Sequence, residues 1–114
     1  MEDCIFCKIA NHEMQARILF EDKDLIAFHD IRPKSPVHIL IIPRNHIPTI
    51  NDLTEDDQEL VGKLFLRAKY LAKELNLSER GYRLVFNCNQ DAGQEVYHIH
   101  LHLLGGRKLG WPPG

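Results

Sequence analysis

The chain has 114 residues, of which 44% are hydrophobic and 26% are charged, and this length and composition are typical of one soluble globular domain. Its 14 basic and 16 acidic residues give a formal net charge of -2, which argues against the broad basic surface that nucleic-acid binding requires. The longest apolar run, ILII at 39–42, is far shorter than the roughly 18 residues of a membrane span. We therefore expect a single domain over residues 1–114, with neither nucleic acid nor a membrane as its partner.

The first half of the chain predicts a short helix and three strands. Residues 4–9 can form a short helix. Residues 17–20 and 25–29 are two apolar runs joined by an acidic turn, which predicts a hairpin. A β-branched run at 37–42 predicts a third strand, which Pro43 ends.

The second half predicts one long helix followed by two strands. Thr54 and Asp57 resemble a capping box, and apolar residues then recur at helical spacing, which predicts a helix over residues 54–75. Residues 82–87 and 96–104 have the composition of a fourth and a fifth strand. Because most connections are too short for parallel crossovers, we predict an α+β fold: a five-stranded antiparallel sheet, one long helix and a short N-terminal helix.

The N-terminus and the cysteines indicate a reducing compartment. The opening MEDCIFC carries acidic residues and no long apolar segment, so it does not resemble a secretory signal. Three cysteines cannot all pair, and the C-x-x-C spacing of Cys4 and Cys7 is more typical of metal or redox chemistry than of a structural bridge. We predict no disulfide and a cytoplasmic location.

The stretch VYHIHLHLL carries three histidines at alternate positions. Because side chains alternate along a strand, we expect His98, His100 and His102 on one face and the aliphatic residues between them on the other. His38 alternates with apolar residues in its own strand and can reach the same side of the sheet. The sequence thus predicts a site of four histidines.

Three interpretations of these histidines are open from the residues alone. They can be surface residues on the solvent face of a strand. They can bind a metal, although Cα atoms roughly 13 Å apart in an i, i+4 strand pair are at the limit for sharing one ion; an adjacent pair, or one histidine with ligands from elsewhere, would then form the site. They can also be catalytic, because a near-neutral imidazole can attack phosphorus while its neighbours orient it and donate to phosphate oxygens.

Three segments of the chain resemble the histidine triad (HIT) family. They are SPVHILIIPRNH around His38, GQEVYHIHLHLLGGR, and the ending WPPG, and the likeness runs nearly end to end. Within the family, AFHDIRPKSP and GGRKLGWPPG resemble the Hint branch, the purine nucleoside phosphoramidases, more than the dinucleoside polyphosphate hydrolases. His102 stands where the nucleotidylyltransferase branch has glutamine, which disfavours that branch.

The resemblance implies a hydrolase that cleaves the P–N bond of purine nucleoside 5'-phosphoramidates, such as aminoacyl- or lysyl-adenylate-type substrates. It makes His100 the nucleophile that forms a nucleotidyl-histidine intermediate, which water resolves to the nucleoside monophosphate, and His102 the donor to the reacting phosphate. His98 and His38 would hold the orientation and tautomer of the other rings. The resemblance implies neither a metal nor an organic cofactor for this catalysis.

The resemblance also implies a nucleotide pocket and a homodimer. Asp30 corresponds to the carboxylate that grips the ribose hydroxyls. Asn87 and Glu95 map near the phosphate, and the charge of Glu95, where some relatives carry serine, would favour a cationic leaving amine such as that of a lysyl nucleotide. Trp111 belongs to a segment that reaches the partner's active site in the family's two-fold dimers. The implied purine pocket consists of residues that can equally be core: Phe6, Ile9, Phe28, His29, Ile31 and Leu40.

Cys4 and Cys7 leave a tetrahedral zinc two ligands short, and His46 and His98 can complete the set. Some HIT proteins with the same C-x-x-C are similar and bind zinc. The alternative is a pair of reduced thiols packed beneath the N-terminal helix. A zinc with four protein ligands would be structural, because no position stays open for water.

Two other functions stay open. Hydrolysis of dinucleoside polyphosphates is a related activity within the same family. A non-catalytic nucleotide- or zinc-binding module that serves a protein partner belongs to a different class of function.

Overall fold

The computed structural model describes residues 3–114, which form one antiparallel sheet with helices packed on it. The strands pair in the order β1-β2-β3-β5-β4. This architecture confirms the predicted five-stranded antiparallel sheet with a long helix and a short N-terminal helix. The elements are α1 (Ile5–Ala10), β1 (Ile18–Glu21), β2 (Leu25–His29), β3 (Val37–Pro43), α2 (Gln58–Glu74), β4 (Tyr82–Val85), α3 (Asn89–Ala92) and β5 (Leu101–Gly105).

The two faces of the sheet are covered by different helices. Because side chains alternate along each strand, Ile39 and Leu101 face α2 and pack with Leu64, all of them 0% exposed. Leu40 points to the opposite face and packs with Phe6 of α1. Complete burial of a Leu or Ile side chain contributes about 1.5–3 kcal/mol, so the α2 face carries much of the stability. The α1 face is the one on which polar residues also gather.

The long helix begins later than the capping box predicts. The box itself is present, because the Asp57 carboxylate accepts the Thr54 amide at 2.9 Å and the Thr54 hydroxyl accepts backbone donors. The box closes a 3-10 turn, Glu55–Asp57, and regular α-helical bonding starts only at Gln58. A similar box with Thr49 closes the preceding turn. Among residues 3–114, no helix is long and apolar enough to cross a bilayer.

The last strand is shorter than predicted, and the prediction of a strand from residue 96 was wrong for residues 96–100. Pairing with β3 ends at Leu101 opposite Ile41, two residues before Pro43, which has no amide to donate. The chain bends over residues 96–98, and the Ile99 amide donates instead to the Ile47 carbonyl at 2.8 Å. Side-chain alternation persists, since Ile99 still packs in the α2-facing core.

Candidate functional site: a histidine cluster beside a thiol and histidine cluster

The four predicted histidines lie on the face of the sheet that α1 covers. His38 and His102 are each the second residue of a strand, β3 and β5, and their ring centroids are 5.2 Å apart. The His100 ring lies 4.8 Å from the His102 ring and 5.1 Å from the ring of Phe6 in α1. His98 and His100 sit in the unpaired stretch before β5 and are 0% and 8% exposed. These histidines are therefore buried groups, which excludes the interpretation as plain surface residues.

Backbone groups determine which nitrogen of His38 and His102 carries a proton. An amide can only donate, so the Lys34 amide, 3.0 Å from His38 Nδ1, requires an unprotonated Nδ1. The neutral His38 ring then carries its proton on Nε2 and donates to His102 Nδ1 at 2.9 Å. His102 in turn carries its proton on Nε2. That atom is buried and has no hydrogen-bond partner among residues 3–114, so its N–H is available to a bound ligand.

The same logic fixes the proton of His100. Its Nδ1 lies 2.8 Å from the carbonyl of His98, and a carbonyl can only accept. Nδ1 therefore carries the proton, and the lone pair of the neutral ring is on Nε2. An unprotonated imidazole nitrogen beside the available N–H of His102 is the arrangement that nucleophilic attack on phosphorus requires.

Burial keeps these rings neutral at pH 7. Desolvation lowers the pKa of His102 to about 4 and that of His98 to about 4. Burial also lowers the pKa of His100, against the hydrogen bond to His98 and the charges of Asp30 and Glu95, which raise it. Burial lowers the pKa of His38, with Asp30 opposing it. The neutral tautomers described above are thus the populated forms.

Asp30 lies at the edge of the histidine cluster, in the loop that follows β2. Its Oδ1 accepts the Arg32 amide at 2.8 Å and closes a turn, while its Oδ2 lies 3.4 Å from His38 Nε2. The contact with His38 is an addition to the predicted ribose role. At 20% side-chain exposure, the carboxylate is still open to a ligand.

The residues predicted to line the purine pocket divide between core and surface. Ile31 is 87% exposed and lines an open groove of about 640 Å³ together with residues 12–18. His29 is half-buried, and burial lowers its pKa. The remaining four are at most 6% exposed and form one cluster next to this groove: Phe6, Ile9, Phe28 and Leu40.

Three further predicted site residues lie around the rim. Asn87 is half-buried just after β4, and Glu95 is exposed but close enough to raise the pKa of His100. Trp111 is 81% exposed. Its ring lies 5.8 Å from the Arg83 guanidinium, and Arg83 Nη2 also donates to the Gly110 carbonyl at 2.8 Å. Trp111 therefore contacts the Arg83 side chain of β4 in its own chain, while most of its surface is exposed.

Four side chains beside the histidine cluster have the geometry of a tetrahedral metal site. The ligand atoms of Cys4, Cys7, His46 and His98 all lie within 4.8 Å of one another. His98 Nδ1 is 3.4 Å and 3.6 Å from the two sulfurs, and His46 Nδ1 is 3.4 Å from Cys7 Sγ. A zinc tetrahedron with ordinary Zn–S and Zn–N bonds has S···N edges of about 3.6 Å. The residues therefore fit zinc in both distance and chemistry.

His98 joins the two clusters. Its Nε2 lies 2.7 Å from the Pro43 carbonyl and must carry the proton, which leaves Nδ1 free as a ligand toward the sulfurs. Its own carbonyl holds His100 Nδ1. A second acidic and histidine set, Asp30 with His38 and His102, also lies within 4.8 Å, but the hydrogen bond between its two rings places a proton where a metal would need a lone pair.

Sequence reasoning missed the backbone partners of the histidines. The Lys34 amide and the Pro43 carbonyl set the tautomers of His38 and His98, but every non-proline residue has an amide and every residue a carbonyl. No side-chain pattern marks them. The one sequence signal is indirect, since the proline-rich run RPKSP before His38 indicates a tight loop.

Comparison with known proteins identifies the family of the chain. A family model described as "Scavenger mRNA decapping enzyme C-term binding" matches residues 3–109. An uncharacterized HIT-like protein of Synechocystis is 45% identical over 113 residues, which cover 99% of this chain and 98% of that protein.

Solved structures have the same fold. A HIT family hydrolase from Legionella pneumophila superposes with a TM-score of 0.97 at 62% identity, covering 98% of this chain and 100% of that one. A histidine triad nucleotide-binding protein from Candida albicans has a TM-score of 0.82 at 33% identity, covering 96% of this chain and 83% of that one. These matches confirm the family resemblance, whereas the Hint branch stays a prediction. The chain belongs to the histidine triad (HIT) family.

Proposed function

We propose that the chain is a hydrolase of the Hint type that cleaves the P–N bond of purine nucleoside 5'-phosphoramidates. The observation that carries this proposal is that an unprotonated His100 Nε2 lies beside the buried Nε2–H of His102, which has no hydrogen-bond partner in the described part of the chain. The similar Legionella protein is described as a hydrolase and the Candida protein as nucleotide-binding. Both descriptions support a reaction on a nucleotide.

In the first step, His100 Nε2 attacks the α-phosphorus and the P–N bond breaks. His102 Nε2–H donates a hydrogen bond to the leaving nitrogen, where negative charge develops, and that nitrogen takes one proton from solvent and leaves as an amine; the water of the second step returns one proton to solvent. The nucleotide is then bonded to His100. In the second step, water attacks the same phosphorus, the bond to His100 breaks, and the nucleoside monophosphate leaves while the proton of the water is released.

The substrate is tested by comparing purified enzyme on adenosine 5'-phosphoramidate and on a diadenosine polyphosphate. We expect kcat/KM to be larger on the phosphoramidate by at least about tenfold, which is a difference of about 1.4 kcal/mol in transition-state binding. A preference for the dinucleotide would assign the polyphosphate hydrolase activity instead. Binding of adenosine monophosphate without turnover of either compound would indicate the non-catalytic module.

We further propose that Cys4, Cys7, His46 and His98 hold a structural zinc. Bound zinc would tie α1 to the segment that carries His98, and four protein ligands leave no coordination position for a substrate. Burial raises the pKa of the Cys7 thiol in the protein without metal, so zinc binding would release thiol protons. Metal analysis of the purified protein, with Cys7→Ser as the comparison, tests this: about one zinc per chain is expected, and none in the variant.

We also propose that the chain forms a homodimer through β4 and α2. β4 is an edge strand, so one row of its backbone groups lacks a neighbouring strand. Next to it, α2 exposes Phe65 at 42%, and the Phe65 ring lies 5.9 Å from the ring of Phe86, which follows β4. A second copy would cover this apolar surface. Light scattering after gel filtration should give twice the chain mass. Phe65→Glu should give the monomer mass, with Glu74→Gln, a charge change at the end of the same helix, as the control.

A further inference from the structure

We propose that Arg107 is a positioning residue that lies outside the site and keeps the proton of His102 on Nε2. The inference rests on the proposed function, in which His102 donates to the leaving nitrogen. Arg107 Nη2 donates to the Lys34 carbonyl at 2.9 Å, and the amide of the same Lys34 donates to His38 Nδ1. His38 then donates to His102. These contacts link the segment after β5 to His102 through the backbone of Lys34, whose carbonyl and amide belong to two successive peptide groups.

The segment after β5 fits closely against the loop that contains Lys34. Gly106 has φ +93°, and a Cβ added there would lie 2.8 Å from the Cβ of Pro36. Only glycine allows this approach without displacing the loop. Arg107 Nη1 also donates to the Lys108 carbonyl at 3.0 Å, which orients the guanidinium toward Lys34. The corner Gly106-Arg107 thus holds the loop from its outer side.

The hydrogen bonds within the loop do not replace this contact. Ser35 Oγ donates to the Val37 carbonyl at 2.5 Å, and Lys34 Nζ donates to the Arg32 carbonyl at 2.9 Å. Both are local contacts between residues two apart. The bond from Arg107 joins the loop to residues 73 positions away, so it restrains where the Lys34 residue lies relative to the sheet and to His38.

Displacement of the Lys34 amide would favour the other neutral tautomer of both His38 and His102. Without that donor, His38 Nδ1 can take the proton in part of the population and Nε2 is then an acceptor, while Asp30 Oδ2, 3.4 Å from Nε2, still favours a proton there. His102 must then donate from Nδ1, and its Nε2 presents a lone pair in place of an N–H. A lone pair cannot stabilise negative charge on a leaving nitrogen. Arg107 is therefore expected to affect leaving-group assistance more than nucleotide binding.

The test uses full-length Arg107→Ala and Arg107→Lys, with Arg80→Ala, an exposed arginine in the turn before β4, as the control. Nitrogen-15 NMR of the ligand-free protein reports which nitrogen of His38 and His102 carries the proton. We expect the His38 Nδ1 signal to shift toward the protonated form in Arg107→Ala, to shift less in Arg107→Lys, which keeps one donor, and to stay unchanged in Arg80→Ala.

Kinetics supply the second readout. With an alkylamine phosphoramidate, which needs assistance to leave, we expect Arg107→Ala to lower kcat about fivefold, as for loss of one ordinary hydrogen bond. With a nitroanilide leaving group, the loss should stay within about twofold, and KM should be unchanged for both. Unchanged histidine signals, or equal losses for both leaving groups, would overturn the proposal. If wild-type enzyme turned over no nucleotide, the proposed function would fail, while the NMR result would still decide the role of Arg107.

Discussion

His38 accepts one hydrogen bond and donates another, and two replacements of His38 test these roles. The ring is 4% exposed and makes two hydrogen bonds, with the Lys34 amide at 3.0 Å and with His102 at 2.9 Å. His38→Ala removes the hydrogen bonds to both partners and opens a cavity, which should lower the free energy of unfolding by about 2–4 kcal/mol. Because His102 then loses the partner that fixes its tautomer, kcat should fall by about 10²-fold, the usual cost of one charge-stabilising donor.

His38→Gln is the matched variant, because its amide can donate to His102 Nδ1 from nearly the position of the ring Nε2. We expect it to recover about tenfold of the lost kcat. Urea unfolding gives the stability, and turnover of adenosine 5'-phosphoramidate at saturating substrate gives kcat. A full kcat in His38→Ala, or the same defect in both variants despite native folding, would refute the assignment of the tautomers.

Four further predictions follow from the same contacts. Cys4→Ser should lower the thermal midpoint of the metal-loaded protein, and a chelator should lower that of the wild type but not of the variant. The pKa of His102 is about 4, below its unfolded value near 6.5, so its contribution to stability is complete above pH 6.5 and is lost as the pH falls toward 4, by up to about 3 kcal/mol in unfolding experiments. Arg44→Ala, which removes donors to the Ala10 carbonyl at 2.5 Å and to the Glu21 carboxylate at 2.7 Å, should cost about 1–3 kcal/mol of unfolding free energy. Glu95→Ser should reduce the preference for a cationic over a neutral leaving amine, measured as a ratio of kcat/KM values.

The sheet and its helices were predictable because each rests on a periodic pattern. Ile39 and Ile41 alternate with Leu40, and this alternation places them on opposite faces in the structure. The start of α2 was not predictable, because a capping box with Thr54 closes either a 3-10 turn or an α-helix. Nor was the late start of β5 at Leu101 predictable, because it depends on the position of Pro43 in the neighbouring strand. A sequence pattern does not give that register.

The candidate site was also predictable only in part. Alternation along the chain marks the histidines, and C-x-x-C marks the thiols, so the members of both clusters could be named in advance. The contact of Asp30 with His38 and the backbone groups that fix the tautomers depend on tertiary structure. They determine which ring has an unprotonated Nε2 and which carries a proton there, and the alternation of the histidines alone does not give that distinction.

The central claim is that His100 bonds transiently to the phosphorus of a nucleotide. Rapid base quenching during turnover of adenosine 5'-phosphoramidate, followed by peptide mass spectrometry at neutral or basic pH, tests it directly. We predict one adenylyl group on the peptide that contains His100, attached through Nε2, and none in His100→Ala at equal nucleotide binding. Sustained turnover by His100→Ala, or an adenylyl group on another residue, would contradict the account.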